Sequence, residues 1–328
     1  MTGAVTLTQA AFGCSLVPSE NRIENHDSRV PGMERHIMRR QWRVYLLALG
    51  LALGGASRVL AEDTPTFTTI DVPGAISTQA WGINPSGDIV GAFRSAGGTH
   101  AFLLSEGSFT RIDFPGATRS EALGINPRGD IVGDYTVAGV THGFLLRENT
   151  FTTVDFPGAT SSEVLGINPR GDIVGDYTLA GVTPCCAPGT HGFLLSEGNF
   201  TTIDFPGATF GFASGINPGG DIAGAYFNGA SHGYTLSKGV FASFDFPGAT
   251  FTNALGNNQG GDIVGSYRDA QRVRHGYLLS EGQFSTIDLP GATFTRAAAI
   301  NSRGDIVGSG IVAGVFHGFL LSSREQER

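Results

Sequence analysis

The sequence has little cysteine and little charge, and most of its charge is negative. Three cysteines among 328 residues are too few for a disulfide framework or for zinc clusters. Only 15% of the residues are charged, and residues 62–328 carry 14 Lys and Arg against 25 Asp and Glu, a net charge of −11. A surface this acidic disfavours nucleic acid and anionic lipid. We therefore expect no nucleic-acid partner, no metal site and no cofactor.

The chain also lacks an apolar run of the roughly 20 residues that a membrane-spanning helix needs. Its apolar stretch from Val44 to Ala56 follows four arginines within 35–43 and precedes Val59-Leu60-Ala61. A basic head, a short apolar centre and small or apolar residues before Glu62 are typical of a secretory signal. We predict that 1–32 is a gene-model extension, that 33–61 is a signal peptide, and that 62–328 is secreted, extracellular or periplasmic, without a membrane span.

Glycine and phenylalanine are abundant, at 49 and 23 residues, and much of the chain repeats. The motif Asp-x-Pro-Gly-Ala or a close variant begins at six aspartates, which are Asp71, Asp113, Asp155, Asp204, Asp245 and Asp288. A histidine recurs in step with it, at His100, His142, His191, His232, His275 and His317. A period of about 40–45 residues made of short strands is typical of β-propeller blades.

One copy of the repeat predicts how a blade is built. The copy at 164–204 predicts four strands, at 164–168, 172–177, 191–195 and 200–204. Asn-Pro-Arg-Gly-Asp and Ser-Glu-Gly-Asn form the tight hairpin turns that join the first strand to the second and the third to the fourth. Glycines of the first strand, such as Gly166, suit a crowded inner position near the propeller axis.

The two ends of the repeat region predict how the ring closes. The region begins with a lone fourth strand at 67–71 and ends with a third strand at 317–321. We therefore expect an all-β, six-bladed β-propeller with four strands per blade. In this fold the N-terminal strand (67–71) completes the last blade and removes its sheet edge. The expected molecule is a monomer.

The repeat resembles a known bacterial unit. Gly-Ile-Asn-Pro-x-Gly-Asp-Ile-Val-Gly followed by His-Gly-Phe-Leu-Leu resembles the extracellular HAF repeat, which is named for His-Ala-Phe and is matched literally by His100-Ala101-Phe102. The resemblance covers 67–322. It implies an exported repeat protein, and proteins of this family have no established catalytic residues.

A histidine of the third strand is expected to face an aspartate of the fourth strand in every copy. Pairing through the tight turn sets His100 with Asp113, His142 with Asp155, His191 with Asp204, His232 with Asp245 and His275 with Asp288, and ring closure sets His317 with Asp71. Such a pair could be a structural staple, a general base or part of a metal site. Six identical copies favour the staple, because an active site breaks symmetry.

Variable positions point to one face as the binding surface. The segments after Pro-Gly-Ala and the loops before each histidine vary most, and they share one end of the blades, which we call the loop-rich face. Binding residues concentrate on variable loops that a rigid scaffold holds. The candidates on this face are Arg119, Glu121, Glu163, Phe210, Phe212, Phe251, Arg272, Arg274, Phe294 and Arg296. The phenylalanines could stack on sugar rings, contact a peptide or simply pack between blades.

Three functions remain open on this basis. We expect a non-enzymatic propeller scaffold that binds a glycan or protein through the loop-rich face. The alternatives are a carbohydrate-active hydrolase or lyase, for which Glu121 and Glu163 are the best carboxylate candidates, and a structural envelope protein. Three turns spell Arg-Gly-Asp, but the position after Pro varies among the copies, which favours a turn over an adhesion motif. Cys185 and Cys186 could be free thiols or bridged.

Overall fold

The computed structural model describes residues 65–180 and 189–322, and within them every regular element is a β strand. The described residues belong to one compact unit, Leu60–Arg328. The predictions for 1–32, 33–61, the cleavage site before Glu62 and the Cys185-Cys186 pair lie outside the described residues. The all-β prediction is confirmed for the described part of the chain.

Twenty-four strands form six antiparallel four-stranded repeats in these residues. Repeat 1 consists of β2 (Ser77–Ile83), β3 (Ile89–Ser95), β4 (Gly98–Ser105) and β5 (Ser108–Arg111). Repeat 2 consists of β6 (Arg119–Ile125), β7 (Ile131–Val137), β8 (Val140–Arg147) and β9 (Thr150–Val154). Repeat 3 consists of β10 (Ser161–Ile167), β11 (Ile173–Thr178), β12 (Thr190–Ser196) and β13 (Asn199–Ile203).

The remaining strands follow the same order. Repeat 4 consists of β14 (Phe210–Ile216), β15 (Ile222–Phe227), β16 (Ser231–Ser237) and β17 (Val240–Phe244). Repeat 5 consists of β18 (Phe251–Asn257), β19 (Ile263–Arg268), β20 (Arg274–Ser280) and β21 (Gln283–Ile287). Repeat 6 consists of β22 (Ala292–Ile300), β23 (Ile306–Val312), β24 (Val315–Ser322) and β1 (Thr66–Ile70).

The first strands begin earlier than the sequence predicted. In repeat 3, β10 starts at Ser161 rather than at Val164, because its polar residues continue the alternation of buried and half-buried positions. The hydroxyl of buried Ser162 accepts a hydrogen bond from the backbone N–H of Phe156 at 3.0 Å, which ties the strand to the preceding Pro-Gly-Ala segment. As a result, Glu163 and its counterparts lie on strands, not on connecting segments.

An asparagine closes each turn between first and second strands. In repeat 3, Asn168 Oδ1 accepts hydrogen bonds from the N–H groups of Arg170, Gly171 and Asp172 at 2.9–3.1 Å, and its Nδ2 donates to Asp172 Oδ2 at 2.8 Å. Gly171 has φ of 94°, a conformation that glycine adopts without strain. This hairpin chemistry explains why Asn, Gly and Asp recur at fixed positions.

Neighbouring repeats are joined mainly by apolar packing. Phe156, between repeats 2 and 3, stacks on Tyr177 of repeat 3 at 3.6 Å between ring centroids and also lies near Phe193 and Phe200. Aromatic pairs of this kind contribute about 0.5–1.5 kcal/mol beyond the area they bury. Single parallel bridges link Thr99 to Arg119 and Ser231 to Phe251, so two pairs of repeats share an eight-stranded sheet.

Repeat 6 combines strands from the two ends of the described chain. β1 pairs with β24 in antiparallel register, with Ile70 opposite Gly318. Ile70 is buried in one cluster with Ala80 and Phe102 of repeat 1 and Val307 of repeat 6. Asn301 Nδ2 of repeat 6 also donates a hydrogen bond to the backbone oxygen of Asn84 in repeat 1, at 3.2 Å. Repeat 6 therefore contacts repeat 1 directly.

Candidate functional site

A cavity of about 350 Å³ lies among the first strands of all six repeats. Each first strand has a one-residue bulge, which re-aims one side chain. The six bulge residues all line the cavity, and they are Trp81, Leu123, Leu165, Ser214, Leu255 and Ala298. The next position is glycine in five repeats because the strands approach closely here: a Cβ on Gly215 would lie 2.9 Å from Gly256 Cα. We call this space the central cavity.

The repeats differ most in charge at one position of the first strand, two residues before the bulge. That position holds Gln79, Glu121, Glu163, Phe212, Asn253 and Arg296 in repeats 1 to 6. Its partner on the second strand holds Ala92, Asp134, Asp176, Ala225, Ser266 and Ser309. The site is therefore acidic in repeats 2 and 3 and basic in repeat 6, whereas the turns and the His–Asp pairs are the same throughout. These two positions are therefore where the six repeats differ in charge, and they are the best candidates for residues of a functional site.

Repeat 2 presents a carboxylate pair that its own arginine bridges. Arg119 Nη2 lies 2.8 Å from Glu121 Oε2, and Arg119 Nη1 lies 2.7 Å from Asp134 Oδ1. All three residues line the central cavity. Burial of Asp134 raises its pKa well above the usual range, an effect that Arg119 opposes and that Glu121 and Glu163 reinforce.

Repeat 3 presents the same carboxylate pair without an arginine. Glu163 lies opposite Asp176 in the register, as Glu121 lies opposite Asp134, but the position of Arg119 is taken by Ser161. Within the described residues, neither carboxylate has a hydrogen-bond or ion-pair partner. Burial raises the pKa of Glu163, and burial together with repulsion from Glu163 and Asp134 raises the pKa of Asp176 well above its usual range.

Repeat 6 places a half-buried arginine against the only tryptophan of residues 62–328. Arg296 Cζ lies 3.6 Å from the centroid of the Trp81 ring, and Arg296 Nη2 donates a hydrogen bond to Ser309 Oγ at 3.2 Å. Burial and the charge of Arg274 lower the pKa of Arg296 to about 9 despite the opposing effect of Glu121. A half-buried cation thus lies beside the ring that lines the cavity.

A second, open groove of about 850 Å³ collects the predicted aromatic residues of repeats 4 and 5. Phe210, Phe212, Phe251, Arg272 and Arg274 all line it. Arg272 is exposed on the connection between β19 and β20, and the three phenylalanines are half-buried. The structure therefore brings these five predicted residues together on the loop-rich face.

Phe294 lies beside this groove and is connected to it through Arg274. Arg274 Cζ lies 4.7 Å from the centroid of Phe251 and 5.6 Å from that of Phe294. Phe294 is half-buried and makes an edge-on contact with Phe316 at 5.6 Å. Cation–π contacts of this kind stabilise by about 0.5–1 kcal/mol at exposed sites, so part of each ring surface is already used within the protein.

The histidine and aspartate of each repeat lie within hydrogen-bond distance. The six Nδ1–carboxylate distances are 2.7–3.1 Å, for His100–Asp113, His142–Asp155, His191–Asp204, His232–Asp245, His275–Asp288 and His317–Asp71. In repeats 2 to 5 the imidazole also stacks on a tyrosine of the second strand. The pairs cross-link strands at the loop-rich end, outside the central cavity.

The three Arg-Gly-Asp turns are closed on themselves. Arg128, Arg170 and Arg303 each place Nε 2.9–3.3 Å from the aspartate carboxylate two positions later in the same turn. Those aspartates also accept from the turn asparagine. An adhesion motif must present both charged groups to a partner, so this geometry favours the turn interpretation.

Sequence reasoning missed several residues of the site. Asp134 and Asp176 were overlooked because they sit inside an apolar strand motif, Ile-Val-Gly-Asp-Tyr. Alignment of the six copies would have exposed them, since the other copies have Ala or Ser there. Trp81 was overlooked because the bulge that directs it inward has no signature of its own. Arg268, whose Cζ lies 5.2 Å from the Phe251 centroid, belongs to the same aromatic and basic groove.

Comparison with solved structures shows a likeness in fold. A putative TolB from Agrobacterium tumefaciens superposes with a TM-score of 0.50 at 16% identity, over 76% of this chain and 91% of that one. TolB from Acinetobacter baumannii gives 0.47 at 14% identity, over 75% of this chain and 55% of that one, so the chain spans about half of its length. The β-propeller domain of the Trilobed protease from Pyrococcus furiosus gives 0.48 at 10% identity, over 76% and 97%.

The superposition on the putative TolB and the antiparallel four-stranded repeats assign the chain to the β-propeller class of all-β folds. No protein-family profile and no curated protein sequence matches the chain. Among residues 65–180 and 189–322, no helix could span a membrane, and no group of three or more His, Cys, Asp or Glu side chains is arranged to hold a metal ion.

Proposed function

We propose that this chain is an exported, non-enzymatic β-propeller of the HAF-repeat kind, with six blades in a closed ring, that binds a glycan or protein ligand on its loop-rich face. The observation that carries the proposal is the loss of repeat symmetry around the central cavity. Glu121 and Glu163 occupy the position that Arg296 occupies in repeat 6. A purely structural ring has no need of such differences, whereas a ligand with an orientation does.

The two surfaces described above supply complementary chemistry for a ligand. The central cavity offers carboxylates and an apolar floor, at a volume near the lower end of small-molecule sites. The second groove offers phenylalanine rings and the arginines of repeat 5. Aromatic and arginine side chains dominate the energetic centres of binding surfaces. This combination favours a binding module whose ligand extends from the cavity across the loop-rich face.

Ring closure in this proposal is supported by contacts at both ends of the described chain. β1 completes repeat 6, and repeat 6 packs against repeat 1 through Ile70 and Val307. The bulge residues of all six repeats line a single cavity. In a closed ring every repeat packs against a repeat on each side. This packing holds the loops of the binding face in fixed positions.

A glycan array and a peptide array probed with residues 62–328 test the binding function. A ligand found on either array should bind at least 10-fold more weakly to Arg272→Ala, since this exposed side chain lines the groove. The matched control is Lys238→Ala, because Lys238 is also exposed with positive φ but lies in the β16–β17 turn at the opposite end of the blades. Equal loss in both variants, or no ligand on either array, would count against the loop-rich face.

A carbohydrate-active enzyme is the second candidate, and one observation favours it. Glu121 is paired with Arg119, whereas Glu163 has no such partner and burial raises its pKa. A carboxyl group with a raised pKa beside a second carboxyl group is the arrangement that glycosidases use for general acid catalysis. Cleavage of any oligosaccharide from a diverse panel, abolished by Glu163→Gln, would establish this function. Release of no product would leave the binding function as the better account.

A further inference from the structure

Repeats 2 and 3 contain the same carboxylate pair, buried at Asp134 and half-buried at the other three residues, but only repeat 2 contains a cation to neutralise it. The pairs are Glu121 with Asp134 and Glu163 with Asp176, at identical register positions of the first and second strands. In repeat 2, Arg119 contacts both carboxylates through two different nitrogens, at 2.8 and 2.7 Å. Repeat 2 is therefore an internal template for what the pair in repeat 3 can hold.

The site in repeat 3 lacks its cation because of one residue. Ser161 occupies the position of Arg119, and the short serine side chain carries no charge. Within the described part of the chain, no Lys or Arg nitrogen lies within 4 Å of Glu163 or Asp176. Neighbouring carboxylates that are partly desolvated and unpaired are costly for the folded protein. A cation from outside would remove that cost.

An independent feature of the same cavity also indicates a bound ligand. Ser214 is only 6% exposed and lines the central cavity with Glu163, and its Oγ has no hydrogen-bond partner. Asn257 Oδ1, which lines the cavity from repeat 5, is likewise buried without a partner. Buried polar atoms are normally paired. Ser214 and Asn257 thus leave two buried oxygens unpaired at the wall of the cavity.

We propose that Glu163, which lines the central cavity, and Asp176, opposite it in the register, form a docking site for a guanidinium group, namely the side chain of an arginine that a partner protein inserts beside Glu163. The inference rests on the proposed binding function and specifies its ligand. Guanidinium suits the site better than ammonium, because its planar fork reaches two carboxylates at once, as Arg119 does in repeat 2. The net charge of −11 for residues 62–328 also favours a basic partner.

The tryptophan at the cavity wall provides a direct signal for the test. Trp81 is the only tryptophan in residues 62–328 and lines the central cavity together with Glu163, so its fluorescence reports on this cavity. The probes are N-acetyl-arginine amide, N-acetyl-lysine amide and glucosamine, titrated at constant ionic strength. We expect the arginine amide to change Trp81 fluorescence saturably and to bind at least 10-fold more tightly than the other two.

The decisive variant supplies the missing arginine from within the chain. Ser161→Arg should fill the site as Arg119 fills repeat 2, raise the melting temperature and reduce binding of the arginine amide at least 10-fold. Ser77→Arg is the matched control, because Ser77 is the same position in repeat 1, where the pair is Gln79 and Ala92; this variant should retain binding. Asp176→Asn should also lose binding, which keeps the test valid if Ser161→Arg folds poorly.

The possible results separate this inference from the proposed function. Tighter binding of the lysine amide or glucosamine, unchanged binding in Ser161→Arg, or no fluorescence response to any probe would overturn the guanidinium site. In each of these cases, an array ligand that still depends on Arg272 would leave the binding function in place. Conversely, arginine-amide binding that Ser161→Arg abolishes supports the site even where both arrays give no ligand.

Discussion

His317 Nδ1 lies 2.9 Å from Asp71 Oδ2, although 246 positions separate the two residues in sequence. The contact exists because β1 pairs with β24 and thereby completes repeat 6 with a strand from the other end of the described chain. The same strand places Ile70, 4% exposed, in the cluster that joins repeat 6 to repeat 1. β1 thus links the two ends of the repeat array.

Deletion of residues 66–71 should therefore destabilise the whole protein. Loss of a buried isoleucine side chain alone costs about 2–5 kcal/mol, which corresponds to a fall of roughly 5–20 °C in melting temperature for a domain of this size. The deletion also leaves β24 with an unpaired edge, so we expect aggregation above the transition. Deletion of six residues at the other end, 323–328, is the control and should leave the melting temperature unchanged. An unchanged melting temperature after the first deletion would contradict closure.

The sequence predicted the elements that depend on local chemistry and missed those that depend on the arrangement of repeats. The turns were predictable because Asn168, Gly171 and Asp172 are needed by the hairpin geometry itself. The register of Leu195 with Phe200 followed from the other tight turn, Ser-Glu-Gly-Asn at 196–199. Strand starts were misplaced by up to three residues, because polar residues such as Ser161 continue a strand that only tertiary contacts define.

The candidate site was predicted in part for the same reason. Glu121 and Glu163 were found because they differ from their counterparts within a variable segment. Their partners Asp134 and Asp176 were missed because their role depends on cross-strand register, not on any motif. The inward direction of Trp81 depends on a bulge that occurs in all six first strands but has no sequence signature.

The contribution to stability of the carboxyl groups around the central cavity should fall as the pH rises towards neutrality. Burial raises the pKa values of Asp134, Glu163 and Asp176, and repulsion from neighbouring carboxylates adds to this effect. Arg119 opposes it at Asp134 and Glu163. The folded chain therefore holds protons that the unfolded chain releases near its ordinary pKa values of about 4. The stabilisation that these bound protons provide is fully present below the unfolded-state pKa values of about 4. It is lost as the pH rises through the higher pKa values of the folded chain.

Asp176→Asn should remove part of this pH dependence. We expect the variant to melt a few degrees higher than the parent at pH 7 and to differ little from it at pH 4. The opposite sign is expected for Asp305→Asn: although burial raises the pKa of Asp305, hydrogen bonds from Asn301, Arg303 and Ser322 lower it overall. Stability from Asp305 is present at neutral pH and is lost as the pH falls through its lowered value. Melting curves from pH 4 to 8 that show the same shift for both variants would contradict this assignment.

The turn asparagine should contribute more to the free energy of unfolding than most residues in loops do. Asn168 is buried, its Oδ1 accepts three backbone N–H groups and its Nδ2 donates to Asp172. Asn168→Ala leaves those donors without an acceptor, at about 1–3 kcal/mol for each group that stays buried. Asn199→Ala is the control, since exposed Asn199 makes one local bond, to Glu197 O. Chemical denaturation should show a clear loss for Asn168→Ala and a change within about 0.5 kcal/mol for Asn199→Ala.

The close approach of the first strands predicts that substitutions at equivalent positions of repeats 4 and 6 have different effects on stability. A Cβ at Gly215 would lie 2.9 Å from Gly256 Cα. Because this Cα is a backbone atom that cannot rotate away, the two strands would have to separate. Gly215→Ala should therefore destabilise by about 1–3 kcal/mol, as overpacking of a core does. In repeat 6 the equivalent position is already alanine, Ala299, and the reverse change Ala299→Gly should cost no more than the roughly 0.5–1 kcal/mol of a glycine within a strand. Because the inner strands surround the cavity, Gly215→Ala should also alter Trp81 fluorescence, whereas Ala299→Gly should not. Equal stability of Gly215→Ala and the parent would mean that these first strands are not in close contact.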